Sequence, residues 1–431
     1  MRRALAWALA AAAAVSSAVS SAIALTPGAE LSPLPSAFRL EDRTEYTSLQ
    51  EALRNGQLDF AERHEIELPA PIAPLIDAFR HVLEGRNTEA LPLFDRIAAE
   101  SEDPALAGLA QAAAVQIRYG SGDYAAVAGA LGEPEDDSAR LMHILAELPA
   151  ESLHAADPLS DRLTVGPEGH PGADVRVNGH AETWWLDTGA ALSVVARSVA
   201  DSLGVTLTDD EPIETSTATT LTVSSRVGVI DSLRLGDVEL RNHPVLVFPD
   251  DALRFELDSG DSLFVRGIVG WPALCQLRVE MDFVTRQVSA RLPETLAPPV
   301  RNFSWLGYPI VRLGAGDGQP LLFGVDTGSR NTSIAENIYR KLTFGAVRDS
   351  TVRIGGAGGT VEIETKIVDR LTLALPEVLA TLHDVRTEST SGANDVFFLA
   401  ADGVIGADIC RHGRLILDYP NGYLGVELPP E

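Results

Sequence analysis

The hydrophobic pattern divides the chain near residue 150. Before that point apolar residues recur at spacings of three and four, as in Leu75, Phe79, Val82 and Leu83. This period is typical of amphipathic helices. Gly-containing breaks at 85–87 and 120–123 each precede a helix start. The pattern therefore predicts a helical domain over residues 38–150.

From about residue 160 the pattern changes to short β-rich runs separated by turn residues. Val175 and Val177 alternate with polar neighbours, the Asn-Gly pair at 178–179 predicts a hairpin turn, and a strand resumes at 184–186. A similar plan returns at 310–325 around a Gly-Asp-Gly turn. We expect two β units, at 160–298 and 299–431.

The N-terminus has the pattern of an export signal. Arg2 and Arg3 precede an Ala-rich apolar run, and Ala22-Ile23-Ala24 is a typical cleavage site. Residues 1–24 are predicted to be a signal peptide and 25–37, rich in Pro and Ser, a linker. The protein is expected to be exported, either periplasmic or secreted, with no membrane span in the mature chain; a single N-terminal anchor is the less favoured alternative.

Composition narrows the class of partner. The 431 residues carry 34 Lys and Arg against 61 Asp and Glu, a net charge of −27. Such a chain lacks the clustered basic residues that bind nucleic acid. Two cysteines, Cys275 and Cys410, are too few for a disulfide framework. We expect buried thiols, with a disulfide between the β units as the alternative.

An internal repeat carries the candidate chemistry. Asp187-Thr188-Gly189 and Asp326-Thr327-Gly328 each follow an apolar run. An apolar-apolar-Gly segment follows each, with 81 residues from Gly189 to Gly270 and 78 from Gly328 to Gly406. The stretches just after each Asp-Thr-Gly, 194–203 and 334–342, are predicted to be short helices. One Asp-Thr-Gly is weak evidence, whereas two at matched spacing are hard to reach by chance.

On these motifs, residues 160–428 resemble the pepsin and retropepsin-like aspartic proteases. The resemblance implies an all-β fold of two lobes with pseudo-twofold symmetry, preceded here by the helical domain. It also implies an aspartic endopeptidase that hydrolyses polypeptide substrates. Asp187 and Asp326 form the dyad that activates water in this reading, and no metal or other cofactor is implied. Two carboxyls held close together share one proton and titrate as a pair.

The resemblance also implies supporting roles. Thr188 and Thr327 should hydrogen-bond to the opposite loop, and Gly189 and Gly328 should permit the tight turn. Position 190 is Ala, as in retropepsins, and position 329 is Ser, as in pepsins. We expect the Ser329 hydroxyl to donate to Asp326, so that Asp326 ionises first and Asp187 keeps the shared proton.

A Gly-rich run in the second β unit fits the tip of a substrate-covering flap. It contains Gly355, Gly356, Gly358 and Gly359, and glycine lets backbone approach an extended peptide. An ordinary hairpin turn is the alternative. The matching stretch of the first unit, 215–223, is rich in Thr and has no Gly.

Other polar residues are given structural roles. No HExxH motif occurs, and we expect His170 and His180 to be solvated. Asp282 and Asp418, at matched positions, are expected to form structural salt bridges. Arg330 either borders a substrate subsite or caps a surface loop.

The helical domain weakly resembles tetratricopeptide-type helix pairs. It is either a pro-segment or packing domain, or a repeat that binds a protein partner. The alternative for the whole chain is a catalytically silent peptide-binding or scaffold protein that retains the acid-protease fold.

Overall fold

A computed structural model describes most of the chain. Its described residues are 19–20, 28–68, 72–167, 169–217, 221–256, 261–295, 297–388, 395–396 and 399–429. Of the predicted signal peptide only Val19–Ser20 falls within the described residues. Residues 25–27, the start of the predicted linker, lie outside them. Helices and many strands in several sheets make this a mixed α and β protein.

The region before residue 150 is helical. Its helices are α1 (Leu49–Arg54), α2 (Phe60–Arg63), α3 (Ile72–Leu83), α4 (Asn87–Glu100), α5 (Pro104–Gly120), α6 (Tyr124–Leu131) and α7 (Asp137–Glu147). Three begin with an Asp whose side chain accepts a backbone N–H of the first turn: Asp103, Asp123 and Asp136. Such caps stabilise a helix by about 1 kcal/mol each. That the helices form a repeat stays a prediction.

The first lobe, which carries Asp187, is built on a ten-stranded sheet with β3 (Ser152–Ala155) at one edge. Its other strands are β4 (Leu163–Val165), β5 (Pro171–Val177), β6 (His180–Leu186), β7 (Ser193–Ala196), β8 (Thr206–Leu207), β9 (Ile213–Ser216), β10 (Thr222–Leu235), β11 (Val238–Phe248) and β14 (Gly267–Val269). Helices α8 (Arg197–Leu203) and α9 (Trp271–Leu274) and a small hairpin of β12 (Arg254–Glu256) and β13 (Ser262–Phe264) complete it.

The second lobe, which carries Asp326, has its own ten-stranded sheet, which also includes β1 (Val19–Ser20) and β2 (Glu30–Pro33). The remaining strands are β17 (Phe303–Trp305), β18 (Pro309–Ala315), β19 (Pro320–Val325), β20 (Ser333–Ala335), β21 (Val347–Gly356), β22 (Gly359–Leu375), β23 (Val378–Glu388) and β26 (Gly403–Ile405). A small hairpin is formed by β24 (Asp395–Val396) and β25 (Leu399–Ala400).

The two sheets repeat the same strand order. The first lobe runs β11-β7-β14-β6-β5-β10, and the second runs β23-β20-β26-β19-β18-β22. In each, the strand that leads to Asp-Thr-Gly lies parallel to the apolar-Gly strand, β6 beside β14 and β19 beside β26. The internal repeat of the sequence is thus a repeat of topology.

A four-stranded sheet joins the lobes. Its order is β16 (Gln287–Arg291), β15 (Arg278–Asp282), β27 (Arg414–Asp418) and β28 (Tyr423–Glu427). The central strands β15 and β27 are antiparallel, with Glu280 opposite Ile416 at the middle of the register. Equivalent strands of the two lobes therefore pair across a pseudo-twofold axis.

The helical region shares its core with both lobes. Trp271 of the first lobe stacks on Trp305 of the second, with ring centroids 5.1 Å apart. Tyr119 of α5 stacks on Trp305 in turn, and the Trp305 indole N–H donates to the Gln116 carbonyl at 2.9 Å. Buried aromatic rings contribute much of the energy of such contacts, so the helices are an integral part of the fold.

Three segments differ from the sequence-based expectation. Residues 30–33, within the predicted linker, form the edge strand β2 against β23; an edge strand tolerates the Pro at its end. The predicted helices at 194–203 and 334–342 each begin as a strand instead, because β7 and β20 pair with the apolar-Gly strands. Among described residues, no helix is long and apolar enough to cross a membrane.

Candidate active site

Backbone hydrogen bonds connect each Asp-Thr-Gly loop to the apolar-Gly segment of its own lobe. In the first lobe Asp187 N–H donates to the Val269 carbonyl at 3.0 Å, and Trp271 N–H donates to Ala190 at 2.8 Å. In the second lobe Asp326 N–H donates to Ile405 at 2.9 Å and Ala407 N–H to Ser329 at 2.8 Å. Each loop is therefore fixed by matching bonds to the segment expected to support it.

Thr188 and Thr327 join the loops across the lobe boundary. Thr188 N–H donates to Thr327 Oγ1 at 3.1 Å, and Thr327 N–H donates to Thr188 Oγ1 at 3.0 Å. Each hydroxyl then donates to the opposite strand, Thr188 to the Val325 carbonyl at 2.9 Å and Thr327 to the Leu186 carbonyl at 2.7 Å. All four bonds are buried, so the loops are locked in one relative position.

The carboxyl groups lie in a dry environment. Asp187 is fully buried, and Asp326 is 4% exposed. Asp187 Oδ1 accepts the N–H groups of Gly189 and Ala190 at 2.9 and 3.1 Å, and Asp326 Oδ1 accepts that of Ser329 at 2.9 Å. Because backbone donors hold one oxygen of each group, the orientation of both carboxyls is set.

Gly328 makes the approach of the two lobes possible. A Cβ atom at this position would lie 2.2 Å from the Asp187 carboxyl, well inside van der Waals contact. Burial, and secondly the charge and hydrogen bonding of Asp326, hold the pKa of Asp187 well above its usual range. Burial and the neighbouring Asp326 therefore favour the protonated form of the Asp187 carboxyl.

The expectation for the Ser329 hydroxyl is wrong. Its Oγ donates to the Asn331 carbonyl at 3.0 Å, and its backbone N–H donates to Asp326 Oδ1 at 2.9 Å. The hydroxyl is used to close the local turn. The raised pKa of Asp187 thus has burial as its main cause, and not a hydroxyl on its partner.

The Gly-rich run is the tip of a long hairpin that crosses to the other lobe. Strand β21 pairs over its whole length with the first part of β22, from Val347 opposite Val368 to Gly356 opposite Gly359. Gly358, with φ of +85°, donates its N–H to the Ala252 carbonyl of the first lobe at 3.0 Å. Gly355 pairs with Val19 at the outer edge. The hairpin therefore has the reach of a flap, and that role remains a prediction.

The first lobe presents the Thr-rich hairpin of β9 and β10 to the same tip. A Cβ on Gly358 would meet Val223 at 3.0 Å and Leu221 at 3.7 Å. The N-terminus of helix α7 holds this hairpin, because Glu214 N–H donates to the Asp137 carboxylate at 2.8 Å. The two hairpins touch, and the helical region supports one of them.

His170 is not solvated as expected. It is fully buried and stacks on Trp185, with ring centroids 4.2 Å apart. Its surroundings include the Gly328 backbone and two arginines, Arg330 and Arg411. Burial first, and then these two cations, lower the pKa of His170 to about 3. Arg330 is itself buried and therefore does not cap a surface loop.

The remaining candidates are structural. Asp418 forms the expected ion pair, with Arg278 at 2.8 Å. Asp282 instead accepts the N–H groups of the turn that follows it. Both cysteines are buried and free. Within the described part of the chain, no three His, Cys, Asp or Glu side chains are grouped to hold a metal ion.

A protein-family comparison relates part of the chain to the aspartic proteases. The aspartyl protease family profile matches residues 173–273, which contain the first Asp-Thr-Gly loop and its apolar-Gly segment. The chain is similar to the aspartic proteases. This match supports the resemblance read from the sequence over those residues, while the second loop and the helical region lie outside it.

Solved structures also match the chain, and one of them is a retropepsin-like aspartic protease from Rickettsia conorii. It is 18% identical, and the match covers 30% of this chain and 80% of that one, with a TM-score of 0.19. Among curated proteins, none matches this chain.

Two polar residues beneath the loops were missed by sequence reasoning. Ser193 and Thr332 each lie six residues after their Asp, and each hydroxyl accepts the N–H of the Gly that ends the apolar-Gly segment. A hydroxyl at the same place in both repeats was the available signal.

Proposed function

We propose that the protein is an aspartic endopeptidase whose Asp187 and Asp326 form the water-activating dyad. The observation that carries this proposal is the pair of buried carboxyls on loops tied by reciprocal threonine bonds, with the pKa of Asp187 raised. Thr188, Gly189, Thr327, Gly328 and Ser329 support the dyad through the bonds and the close approach described above.

In the proposed hydrolysis the two carboxyls have different protonation states and different roles. Ionised Asp326 takes a proton from a water molecule, whose oxygen forms a bond to the scissile carbonyl carbon. Protonated Asp187 donates to the carbonyl oxygen, which becomes the hydroxyl of a neutral tetrahedral intermediate. As the C–N bond breaks, the proton held by Asp326 passes to the leaving amine and Asp187 recovers its own. No covalent intermediate and no cofactor is needed.

The proposed substrate is an extended polypeptide segment. A peptide in strand conformation exposes backbone groups that a hairpin edge can pair with. The tip of β21 and β22, with Gly355, Gly356, Gly358 and Gly359, is the proposed partner on the second lobe. From the N-terminal signal pattern we further propose that the enzyme acts after export, in the periplasm or outside the cell.

Hydrolysis of casein tests the function. Purified protein should cleave casein in mildly acidic solution, and pepstatin, which occupies paired-aspartate sites, should block it. Binding of casein without any cleavage across the acidic range would favour the catalytically silent peptide-binding protein instead.

A further inference from the structure

The two active loops are supported by the same hydroxyl contact but by different partners. Thr332 Oγ1 accepts the Gly406 N–H at 3.1 Å and donates to Asp408 Oδ1 at 2.6 Å. Ser193 Oγ accepts the Gly270 N–H at 2.9 Å and is bonded to His243 Nε2 at 2.7 Å. An imidazole therefore takes the place of a carboxylate in the first lobe.

The sequence explains the exchange. Asp408 stands two residues after Gly406, and the equivalent residue after Gly270 is Pro272. Proline offers the Ser193 hydroxyl no side-chain acceptor. His243, brought from the neighbouring strand β11, supplies it instead.

The hydrogen bonds assign the protons along this chain of groups. The Glu151 carboxylate can only accept, so His243 Nδ1 carries the proton and donates to it. In this tautomer Nε2 accepts from the Ser193 hydroxyl, which itself accepts the Gly270 N–H. Gln276 donates to the second oxygen of Glu151. The carboxylate thus fixes the imidazole tautomer, as in other His–carboxylate pairs.

A nucleophilic role for this serine is excluded by its position. Ser193 and His243 are both fully buried, and the serine oxygen is already held by the Gly270 N–H. A substrate carbonyl has no access to such an oxygen.

Glu151 connects the loop support to the helical region. It lies four residues after the end of α7, and its side chain is 18% exposed. A second link runs from the same region to the same loop, since the Tyr119 hydroxyl donates to the Ala191 carbonyl at 2.8 Å. Helix α5 therefore contacts the first active loop directly, and the segment that follows α7 contacts its support through His243.

We infer that His243 is a positioning residue for the proposed protease reaction, acting through Ser193 on the Gly270 segment and held by Glu151. This inference rests on the proposed function for its effect on catalysis. The role of the helical region then includes support of the first active loop, and removing it should lower activity, whereas removing a pro-segment raises it.

The test is a double-mutant cycle with a rescue. His243→Leu and Ser193→Ala should each lower kcat about tenfold with KM within about twofold, because a small misplacement of a catalytic group has effects of this size. The double variant should be no worse than Ser193→Ala alone, since that change already removes the contact with His243. His154→Leu is the control, because His154 bonds an exposed serine, Ser152.

The rescue introduces into the first lobe the carboxylate that the second lobe has beneath its loop. Adding Pro272→Asp to His243→Leu places a carboxylate at the position equivalent to Asp408 and should restore most of kcat. Glu151→Ala should lower kcat in the same direction as His243→Leu. Additive losses in the cycle, or an unchanged kcat in His243→Leu, would overturn the inference.

A readout that needs no proteolysis separates the two proposals. Hydrogen exchange at the Gly270 amide should become faster in His243→Leu and in Ser193→Ala but not in His154→Leu. If this occurs in a protein that cleaves no peptide, the protease function fails and the network stands. Active wild type with unchanged Gly270 exchange in both variants refutes the network alone.

Discussion

Replacing Thr327 with valine removes one oxygen from the bridge between the two active loops. Valine nearly matches threonine in shape, so the change tests hydrogen bonding more than packing. The lost oxygen donates to the Leu186 carbonyl and accepts the Thr188 N–H. Both partners are left buried.

The expected cost follows from these two groups. A buried backbone group without a hydrogen bond costs roughly 1–3 kcal/mol, so the loss of two such bonds in Thr327→Val should lower the free energy of unfolding by about 2–6 kcal/mol. Thr188→Val removes the equivalent pair of bonds, to Val325 and Thr327. The pseudo-twofold symmetry therefore predicts similar costs for the two variants.

Urea unfolding followed by tryptophan fluorescence measures both costs. Thr206→Val is a matched control, because Thr206 is an exposed threonine on strand β8, and its effect should stay within about 0.5 kcal/mol. If either loop variant were as stable as this control, the bridge would not be the structural lock described here.

Three further predictions concern buried charge and proton binding. Lys341→Met should cost about 3–5 kcal/mol of unfolding free energy, because it leaves the fully buried Asp402 carboxylate, 2.8 Å from Lys341 Nζ, without its cation; adding Asp402→Asn should recover part of that loss in the same urea assay. The folded-state pKa of His170 is lowered to about 3, so between that pH and about 6.5 the unfolded chain binds a proton that the folded chain does not. This group should therefore lower the free energy of unfolding by up to about 1.4 kcal/mol for each pH unit of acidification across this window. His170→Asn should make the decline shallower. An identical pH dependence in both proteins would contradict the burial of His170. Ser329→Ala should leave the acidic limb of the pH–activity profile in place, since the hydroxyl donates to Asn331. A shift of that limb to higher pH would show that the hydroxyl bonds Asp326, as expected from the sequence.

The repeated motif made the central geometry predictable. Two Asp-Thr-Gly copies at matched distances from apolar-Gly segments required related topologies, and the two sheets have the same strand order. The cross-lobe threonine contacts were expected from the resemblance to the aspartic proteases, and the structure contains them. The helical period before residue 150 also corresponds to helices in the structure.

Features that depend on contacts distant in sequence could not be read from local patterns. His170 looks like a turn residue beside Gly169 and Pro171, but packing against Trp185 buries it. His243 gave no signal because its partners, Ser193 and Glu151, are 50 and 92 residues away. The segments after each Asp-Thr-Gly read as helical, and pairing with β14 and β26 made their first residues strands.

Casein hydrolysis by wild type and by Asp326→Asn, measured side by side, tests the central claim most directly. The substitution keeps the shape of the side chain and removes the base that takes a proton from water, so cleavage should fall by about a hundredfold or more. Melting curves of the two proteins confirm that the variant is folded. Equal rates of cleavage would contradict the shared-proton dyad.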